Sequence, residues 1–136
     1  MVEIQIVYRG ELRCDATHGP SGTSLTTDAP VDNEGKGESF SPTDLVATAL
    51  GTCMLTIMGI VARRHEIPLE GSTVTVKKLM VTEPVRRIGR LPVTITLAHP
   101  LDDEQKRLLE RAAHTCPVHK SLHPDIETPV EILDPV

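Results

Sequence analysis

The stretch SFSPTDLVATALGTCMLTIMGIVARR, residues 39–64, decides the fold because it predicts one long apolar helix. Ser41 is a favourable N-cap, Pro42 suits the first helical position, and Asp44 completes an S-x-x-D capping pattern. Two arginines close the stretch, where the helix dipole favours positive charge. Apolar side chains occur nearly all round the helix, which is therefore predicted to be buried on most sides.

The same helix raises the question of a membrane span. The run from Leu45 to Ala62 has 18 residues without a charge, which is the threshold length for crossing a bilayer. It also includes three threonines and two glycines, and alternating strand patterns flank it on both sides. These features favour a core helix, and we expect no membrane association.

Segments on both sides of the helix alternate apolar and polar residues with a period of two, which is typical of strands. Three of them precede the helix and are joined by turns: VEIQIVY (2–8), ELRCDATH (11–18) and TSLTTDA (23–29). Two more follow it: TVTVKKLMV (73–81) and LPVTITLAH (91–99). The segment between these two, EPVRRIGR, carries three arginines and is predicted to be a solvated hairpin tip.

The last third of the chain predicts a second helix and a final strand. DDEQKRLLERAAHT (102–115) has acids in its first turn and an apolar face, so it predicts an amphipathic helix that Pro117 ends. PVHKSL (117–122) predicts a short helical turn, and ETPVEIL (127–133) predicts a strand. The element order βββ-α-ββ-α-β indicates an α+β fold, with a mainly antiparallel sheet wrapped on the central helix in one domain over residues 1–136.

Charge and composition limit the functions open to the chain. The net charge is −5, and the only aromatic residues are one Tyr and one Phe. Nucleic-acid-binding surfaces usually carry basic residues and stacking aromatics, so we expect no nucleic-acid partner. The first residues lack the apolar core of a signal peptide, and an odd count of three cysteines argues against a structural disulfide framework. We therefore expect a cytoplasmic protein.

Cys53, in the middle of the apolar helix, has two interpretations. It can be a small buried hydrophobe, because free cysteine is among the most buried residue types. It can also be a nucleophile, but nucleophilic attack requires the thiolate, which an apolar site disfavours unless a cation lies near it. The residues around Cys53 in the sequence supply no such cation.

Cys116 lies in the segment HTCPVHKSLH (114–123). Pro117 predicts the start of a new helix with Cys116 as its N-cap, where backbone N–H groups stabilise a thiolate, so the local sequence favours a reactive thiol. Zinc binding by Cys116, His119 and His123 is an alternative, because positions i, i+3 and i+7 share one helix face. The pattern lacks a second cysteine pair, so we favour no metal and interpret the histidines as polar surface residues.

The two cysteine segments together resemble a known family. SFSPTDLVATALGTCM is followed, 63 residues after its cysteine, by CPVHKSL. This pair is similar to the motifs of the OsmC/Ohr family of osmotically inducible and organic hydroperoxide resistance proteins, and the resemblance covers nearly the whole chain. The implied fold is OsmC-like, and the implied assembly is an intertwined homodimer with its sites at the subunit interface.

The resemblance implies a thiol-dependent peroxidase that reduces organic hydroperoxides to alcohols. Cys53 matches the peroxidatic cysteine, which becomes a sulfenic acid, and Cys116 matches the resolving cysteine, which joins it in a disulfide. A thiol reductant, often a dihydrolipoyl group in the family, restores the dithiol, and no cofactor is implied. The apolar helix around Cys53 suits an alkyl hydroperoxide better than hydrogen peroxide.

Two positions depart from the family pattern. Active members hold the thiolate with an arginine from the N-terminal third. This chain has Pro20 or Asn33 where the pattern places that arginine, and the candidates to replace it are Arg13 or Lys36. The family also orients that arginine with a glutamate just after the helix-opening proline, where this chain has Thr43. Asp44 or Glu38 can replace it, although Asp44 can also be only a helix cap. These departures motivate a second hypothesis, a non-enzymatic or weakly active protein of the same fold that senses redox state or binds a ligand.

Overall fold

A computed structural model describes the whole chain, residues 1–136. Its backbone forms two compact units, residues 1–46 and 47–136, and the boundary between them falls inside the long helix α1, Pro42–Arg64. Eight strands and three α-helices confirm the predicted α+β class. Both ends of α1 agree with the sequence pattern, which placed a capped proline at its start and two arginines at its end.

The N-terminal unit is a three-stranded antiparallel sheet in the order β1-β2-β3. Its strands are β1 Ile4–Gly10, β2 Arg13–His18 and β3 Ser24–Thr27, which confirms the three predicted strands. The register places Ile6 opposite Ala16 and Ala16 opposite Leu25, so these side chains form one apolar row across the sheet. Ile6 is 65% exposed and Leu25 is 45% exposed, so this face of the sheet lies open.

The C-terminal unit contains more strands than the sequence pattern predicts. They are β4 Thr73–Val76, β5 Leu79–Val81, β6 Arg87–Arg90, β7 Val93–Thr96 and β8 Val130–Leu133. The predicted strand 73–81 is two strands, and the arginine-rich tip forms strand β6 instead of a fully solvated loop. Pro92 separates β6 from β7, because proline has no N–H to donate to a strand ladder.

These strands form two sheets. Strand β7 pairs with β4 in antiparallel and with β8 in parallel orientation, while β5 and β6 form a separate antiparallel hairpin. The sheets are therefore mainly antiparallel, as predicted, with one parallel pair at β8. Helix α2, Asp103–Ala113, begins with a capping box between Asp102 and Gln105, and the short helix α3, Pro117–Ser121, confirms the predicted helical turn.

Helix α1 is less buried than its composition predicts. A single stripe is buried, formed by Ala47, Leu50, Gly51, Met54, Met58 and Ala62. The exposed side carries threonines, and the hydroxyls of Thr52 and Thr56 satisfy themselves by donating to the carbonyl oxygens four residues earlier, at 2.7 and 2.8 Å. The expectation of burial on most sides was wrong for this chain taken alone, in which 33% of the apolar window is buried.

By length and composition alone, α1 is the one helix in the chain long and apolar enough to cross a membrane, with a mean hydropathy of 2.1. Core helices of globular proteins meet the same criterion, so the finding is weak evidence for a span. A close contact with the sheet supports a core role. A Cβ atom at Gly51 would lie 2.9 Å from Val76 of β4, so glycine lets the helix approach this strand closely.

Candidate functional site: a dithiol between α1 and α3

The structure brings together the two cysteines that the sequence singles out. Cys53 projects from the middle of α1 and is half-buried, and Cys116 is the fully buried N-cap residue of α3. The Cys53 side chain is close enough to the Cys116 thiol to shift its pKa, and the two cysteines are not joined in a disulfide. Both cysteines belong to the C-terminal unit, so one compact unit contains both sulfur atoms of the candidate site.

The position of Cys116 follows from the chain around it. Thr115 and Cys116 leave α2 with N–H bonds to the carbonyls of Ala112 and Ala113, and Pro117 then starts α3. The predicted N-cap geometry is confirmed, because the N–H of His119 donates to the Cys116 sulfur at 3.4 Å. Cys116 therefore combines a helix-cap sulfur with complete burial.

The expectation that the cap makes Cys116 a readily ionised thiol was wrong. Burial raises the pKa of Cys116 above its usual value, and the neighbouring Cys53 side chain raises it further. The N–H groups of His119 and Val118 lower the pKa but do not offset these two effects. At neutral pH Cys116 is therefore held mainly as a thiol, and its reactivity depends on the few groups that favour the thiolate.

Asp44 is a helix cap. The N–H of Ser41 donates to the Asp44 carboxylate at 2.9 Å, and the N–H of Asp44 donates to the Ser41 hydroxyl at 3.1 Å. This reciprocal pair is a capping box, which confirms the S-x-x-D pattern. A second role for Asp44 in orienting an arginine stays a prediction.

Glu38 belongs to a cluster of charges in the N-terminal unit. The Arg13 guanidinium lies 3.6 Å from Glu38 and 3.8 Å from Asp28. Asp28 is buried and accepts from the N–H groups of Ala29 and Glu38, at 2.8 and 3.1 Å. These N–H groups, the one from Glu38 foremost, hold the pKa of Asp28 below its usual value, and Arg13 contributes in the same direction. Arg13 is thus paired with two carboxylates, and its role in holding the Cys53 thiolate stays a prediction.

The other cation proposed from the sequence has a weaker setting. Lys36 lies 3.4 Å from Glu11, and both side chains are largely exposed, so water screens the pair. Cys14 lies on β2 opposite Tyr8 as a free, half-buried thiol. Neither side chain has a buried carboxylate partner such as Asp28 is for Arg13.

The zinc alternative finds no support in the structure. No group of three His, Cys, Asp or Glu side chains lies close enough together to share a metal ion. His119 instead bonds through Nε2 to Thr128, and His123 accepts through Nδ1 from the N–H of Asp125. The helix ends at Ser121, so the helical face shared by positions 116, 119 and 123 does not form.

Two residues in hydrogen-bonded clusters escaped the sequence analysis. His119 is half-buried and hydrogen-bonded, which corrects its interpretation as a surface residue. Asp28 is 1% exposed although it follows a strand of polar residues. A signal for Asp28 was present, because an aspartate before a Gly- and Pro-containing loop often accepts bonds from loop N–H groups. His119 had no local signal, since Thr128 is nine residues away.

A groove borders the second half of α1. It is open, has a volume of about 570 Å³, and is lined on the helix by Thr56, Ile60 and Arg63 among others. Thr56 and Ile60 lie three and seven residues after Cys53, so they share a helix face with it. The loop through Ile67 and Leu69 forms the other wall.

The fold and the paired thiols define an α+β protein with a dithiol centre. The sequence profile of the OsmC-like protein family matches residues 35–131, a range that includes both cysteines. The chain belongs to this family. A search of curated proteins finds no match to the chain.

Solved structures extend the similarity to the N-terminal sheet. A protein from Psychrobacter arcticus 273-4, provisionally described as an osmotic stress induced and detoxification response protein, is 49% identical. The match covers 97% of this chain and 96% of that one, with a TM-score of 0.92. An OsmC-like protein from Mycoplasma pneumoniae is 16% identical over 100% and 98% of the two chains, with a TM-score of 0.84.

The organic hydroperoxide resistance protein OsmC from Legionella pneumophila is also 16% identical, over 98% of this chain and 96% of that one, with a TM-score of 0.78. At this identity the likeness shows the fold alone. The three structures confirm the OsmC-like fold predicted from the two cysteine motifs.

Proposed function

We propose that the protein is a thiol-dependent peroxidase that reduces organic hydroperoxides to alcohols. The observation that carries the proposal is that Cys53 and Cys116, both free, are neighbours in a member of the OsmC-like family. Two neighbouring thiols can form a disulfide once their sulfur atoms reach bonding geometry. The half-buried Cys53 is the one that a peroxide can approach, and the fully buried Cys116 is kept for the second step.

The reaction balances in two steps. The Cys53 thiolate attacks the terminal peroxide oxygen, the O–O bond breaks, and the alkoxide takes up a proton to leave as the alcohol. The Cys116 thiolate then attacks the sulfur of the Cys53 sulfenic acid, and hydroxide leaves and is protonated to water. A dithiol reductant, such as a dihydrolipoyl group, reduces the Cys53–Cys116 disulfide by thiol–disulfide exchange and becomes oxidised itself.

The groove supports an organic substrate. It starts on the helix face of Cys53 and includes the apolar side chains of Leu55, Ile60 and Leu69. An alkyl or aryl group gains free energy from burial against such side chains, and hydrogen peroxide has no group that does so. We therefore expect the protein to prefer an organic hydroperoxide to hydrogen peroxide.

We further propose that the protein works as a cytoplasmic homodimer. Ile4, Ile6 and Tyr8 alternate on one face of β1, and each is at least 59% exposed. Exposed apolar patches of this kind mark interaction surfaces. A second copy presents the same patch and can bury it in a two-fold symmetric interface.

Treatment of the reduced protein with cumene hydroperoxide tests the enzymatic proposal. We expect one peroxide consumed per dithiol and a Cys53–Cys116 disulfide in the peptide mass spectrum. Cys53→Ser should abolish peroxide consumption, Cys116→Ser should stop at the sulfenic acid, and the matched control Cys14→Ser should behave like the wild type.

The opposite result would favour a different function. If the wild-type protein leaves the peroxide unconsumed and forms no disulfide, the peroxidase proposal is wrong. The non-enzymatic hypothesis would then remain. Slow oxidation of the dithiol without turnover, in the presence of excess dihydrolipoamide, would point to a redox sensor.

A further inference from the structure

We propose that His119 is a positioning residue for Cys116. Its imidazole ring is hydrogen-bonded to Thr128. This bond keeps the first turn of α3 in the position where the His119 N–H donates to the Cys116 sulfur. The inference rests on the proposed role of Cys116 as the resolving cysteine, because that role requires a thiolate at a buried position.

The first turn of α3 needs support from outside the helix. Helix α3 has only five residues, Pro117–Ser121, and isolated helices of this length are unstable in water. Within the turn, the N–H of Lys120 donates to the Cys116 carbonyl at 3.1 Å, and the N–H of His119 donates to the sulfur at 3.4 Å. The second bond depends on where the turn places the His119 N–H, so a displacement of the turn would weaken it.

The ring of His119 supplies that support. Its Nε2 lies 2.8 Å from the hydroxyl oxygen of Thr128, in a partly buried position. Residue 119 therefore has two attachments: its backbone N–H bonds to the sulfur, and its side chain bonds to a segment nine residues along the chain.

Thr128 has a fixed position because the residues on both sides of it are hydrogen-bonded to the sheet. The N–H of Glu127 donates to the Gly89 carbonyl at 3.1 Å, and the Glu127 carbonyl accepts from Leu91 at 2.8 Å. The carbonyl of Pro129 accepts from Val93, also at 2.8 Å. These bonds make residues 127–129 an extension of the sheet, and the His119 ring connects α3 to it.

The other ring nitrogen indicates which tautomer the ring adopts. His119 Nδ1 is buried and has no hydrogen-bond partner. Because buried N–H groups without an acceptor are rarer than buried acceptors without a donor, the ring hydrogen belongs on Nε2, where it donates to Thr128. Thr128 is then the single hydrogen-bond partner of the ring, and removing its hydroxyl should release the side chain.

The groups that face the Cys116 sulfur show why the position of the first turn of α3 affects the thiolate. From α1 the neighbour is the Cys53 thiol, which, together with burial, raises the pKa of Cys116. From α3 the neighbours are the N–H groups of His119 and Val118, which lower it. The principal causes of the raised Cys116 pKa include no cation and no carboxylate. A looser first turn would weaken the groups that favour the thiolate and leave the opposing ones in place.

Thiolate absorbance at 240 nm in a Cys14→Ser, Cys53→Ser background reports on Cys116 alone and does not require peroxidase activity. Loss of one hydrogen bond should lower the thiolate population three- to tenfold, so Thr128→Val and His119→Ala should move the Cys116 midpoint upward by about 0.5–1 pH unit. His119→Gln should restore much of the wild-type midpoint, because its amide can donate to Thr128. His114→Gln, an exposed histidine on the same segment, is the matched control and should change nothing.

Single-turnover oxidation in the Cys14→Ser background provides the second measurement. Thr128→Val should slow disulfide formation at pH 7 about three- to tenfold, while trapping of the Cys53 sulfenic acid by dimedone proceeds at the wild-type rate. A purely structural role would lower thermal stability and leave the Cys116 midpoint where it is. An unchanged midpoint in folded Thr128→Val and His119→Ala would overturn the inference even if the wild type forms its disulfide. Absence of peroxide consumption by the wild type would count against the proposed function alone.

Discussion

The two compact units differ in how far they bury their apolar side chains. In the C-terminal unit Ile95 and Leu109 are completely buried, and the dithiol lies within the same unit. In the N-terminal sheet Ile4 and Ile6 are 59% and 65% exposed, although they alternate on one face as core residues do. The C-terminal unit therefore has a core of its own, whereas the N-terminal sheet has an apolar face that still needs a partner surface.

The first prediction compares a buried and an exposed position of the C-terminal unit by their effect on stability. Ile95→Ala should lower the free energy of unfolding by about 2–5 kcal/mol, because it leaves a cavity in a closed core. Val85→Ala, at a position 63% exposed in the same unit, should change it by less than about 0.5 kcal/mol. Urea unfolding followed by circular dichroism measures both. Equal effects would show that the C-terminal core is not closed as described.

The second prediction concerns the open face of the N-terminal sheet. Ile6→Asp places a charge in the middle of this face and should weaken homodimerisation about a hundredfold, because an unpaired carboxylate resists burial. Val85→Asp, a change to an equally exposed valine of the C-terminal unit, is the control. Sedimentation velocity over a concentration series measures the dimer constant. If Ile6→Asp associates like the wild type, this face is not the dimer interface.

Local sequence patterns predicted most of the elements but less of the sheet pairing. Capping residues set the starts of α1 and α3, and two arginines mark the end of α1, because these signals lie within a few residues of the helix ends. Pro92, which separates β6 from β7, is a local signal, whereas the parallel pairing of β8 depends on contacts between distant segments, which alternation does not encode. The burial of α1 was overestimated because hydropathy does not say which surface covers an apolar side chain.

Prediction of the candidate site depended on the family resemblance more than prediction of the fold did. Nothing in the residues between Cys53 and Cys116 indicates that folding brings their sulfurs together, and the motif pair supplied that expectation. The pKa of Cys116 was misjudged for a related reason. Neighbouring residues in the sequence predict its N-cap position. Burial and the Cys53 thiol come from the tertiary structure, and their effect on the pKa outweighs that of the cap.

The third prediction asks whether the charge cluster of the N-terminal unit serves the peroxidase reaction. Arg13 has two carboxylate partners, one of them buried, while Lys36 has a single exposed partner. Arg13→Gln should lower kcat/KM for cumene hydroperoxide about tenfold, as expected when a thiolate loses a favourable charge, and Lys36→Gln should have little effect. If Arg13→Gln keeps the wild-type kcat/KM, another group activates Cys53.

The fourth and smallest effect separates a structural role of the same cluster from a chemical one. Hydrogen bonds from the Glu38 and Ala29 N–H groups, with help from Arg13, keep the pKa of Asp28 below its usual value. A lowered pKa in the folded state contributes stability above the unfolded value, near pH 4, and this contribution disappears as the pH falls through the folded-state pKa. Asp28→Asn should therefore be less stable than the wild type at pH 7, and the difference should shrink between about pH 4 and pH 2.

Thermal unfolding across this pH range measures the effect, with Glu110→Gln, an exposed carboxyl on α2, as the control. The control should follow the wild type at every pH. A difference between Asp28→Asn and the wild type that stays constant from pH 7 to pH 2 would mean that the carboxylate charge is irrelevant and that only the shape of the side chain supports the loop. Unchanged peroxidase activity in Asp28→Asn, beside a reduced one in Arg13→Gln, would assign Asp28 to the loop and Arg13 to the chemistry.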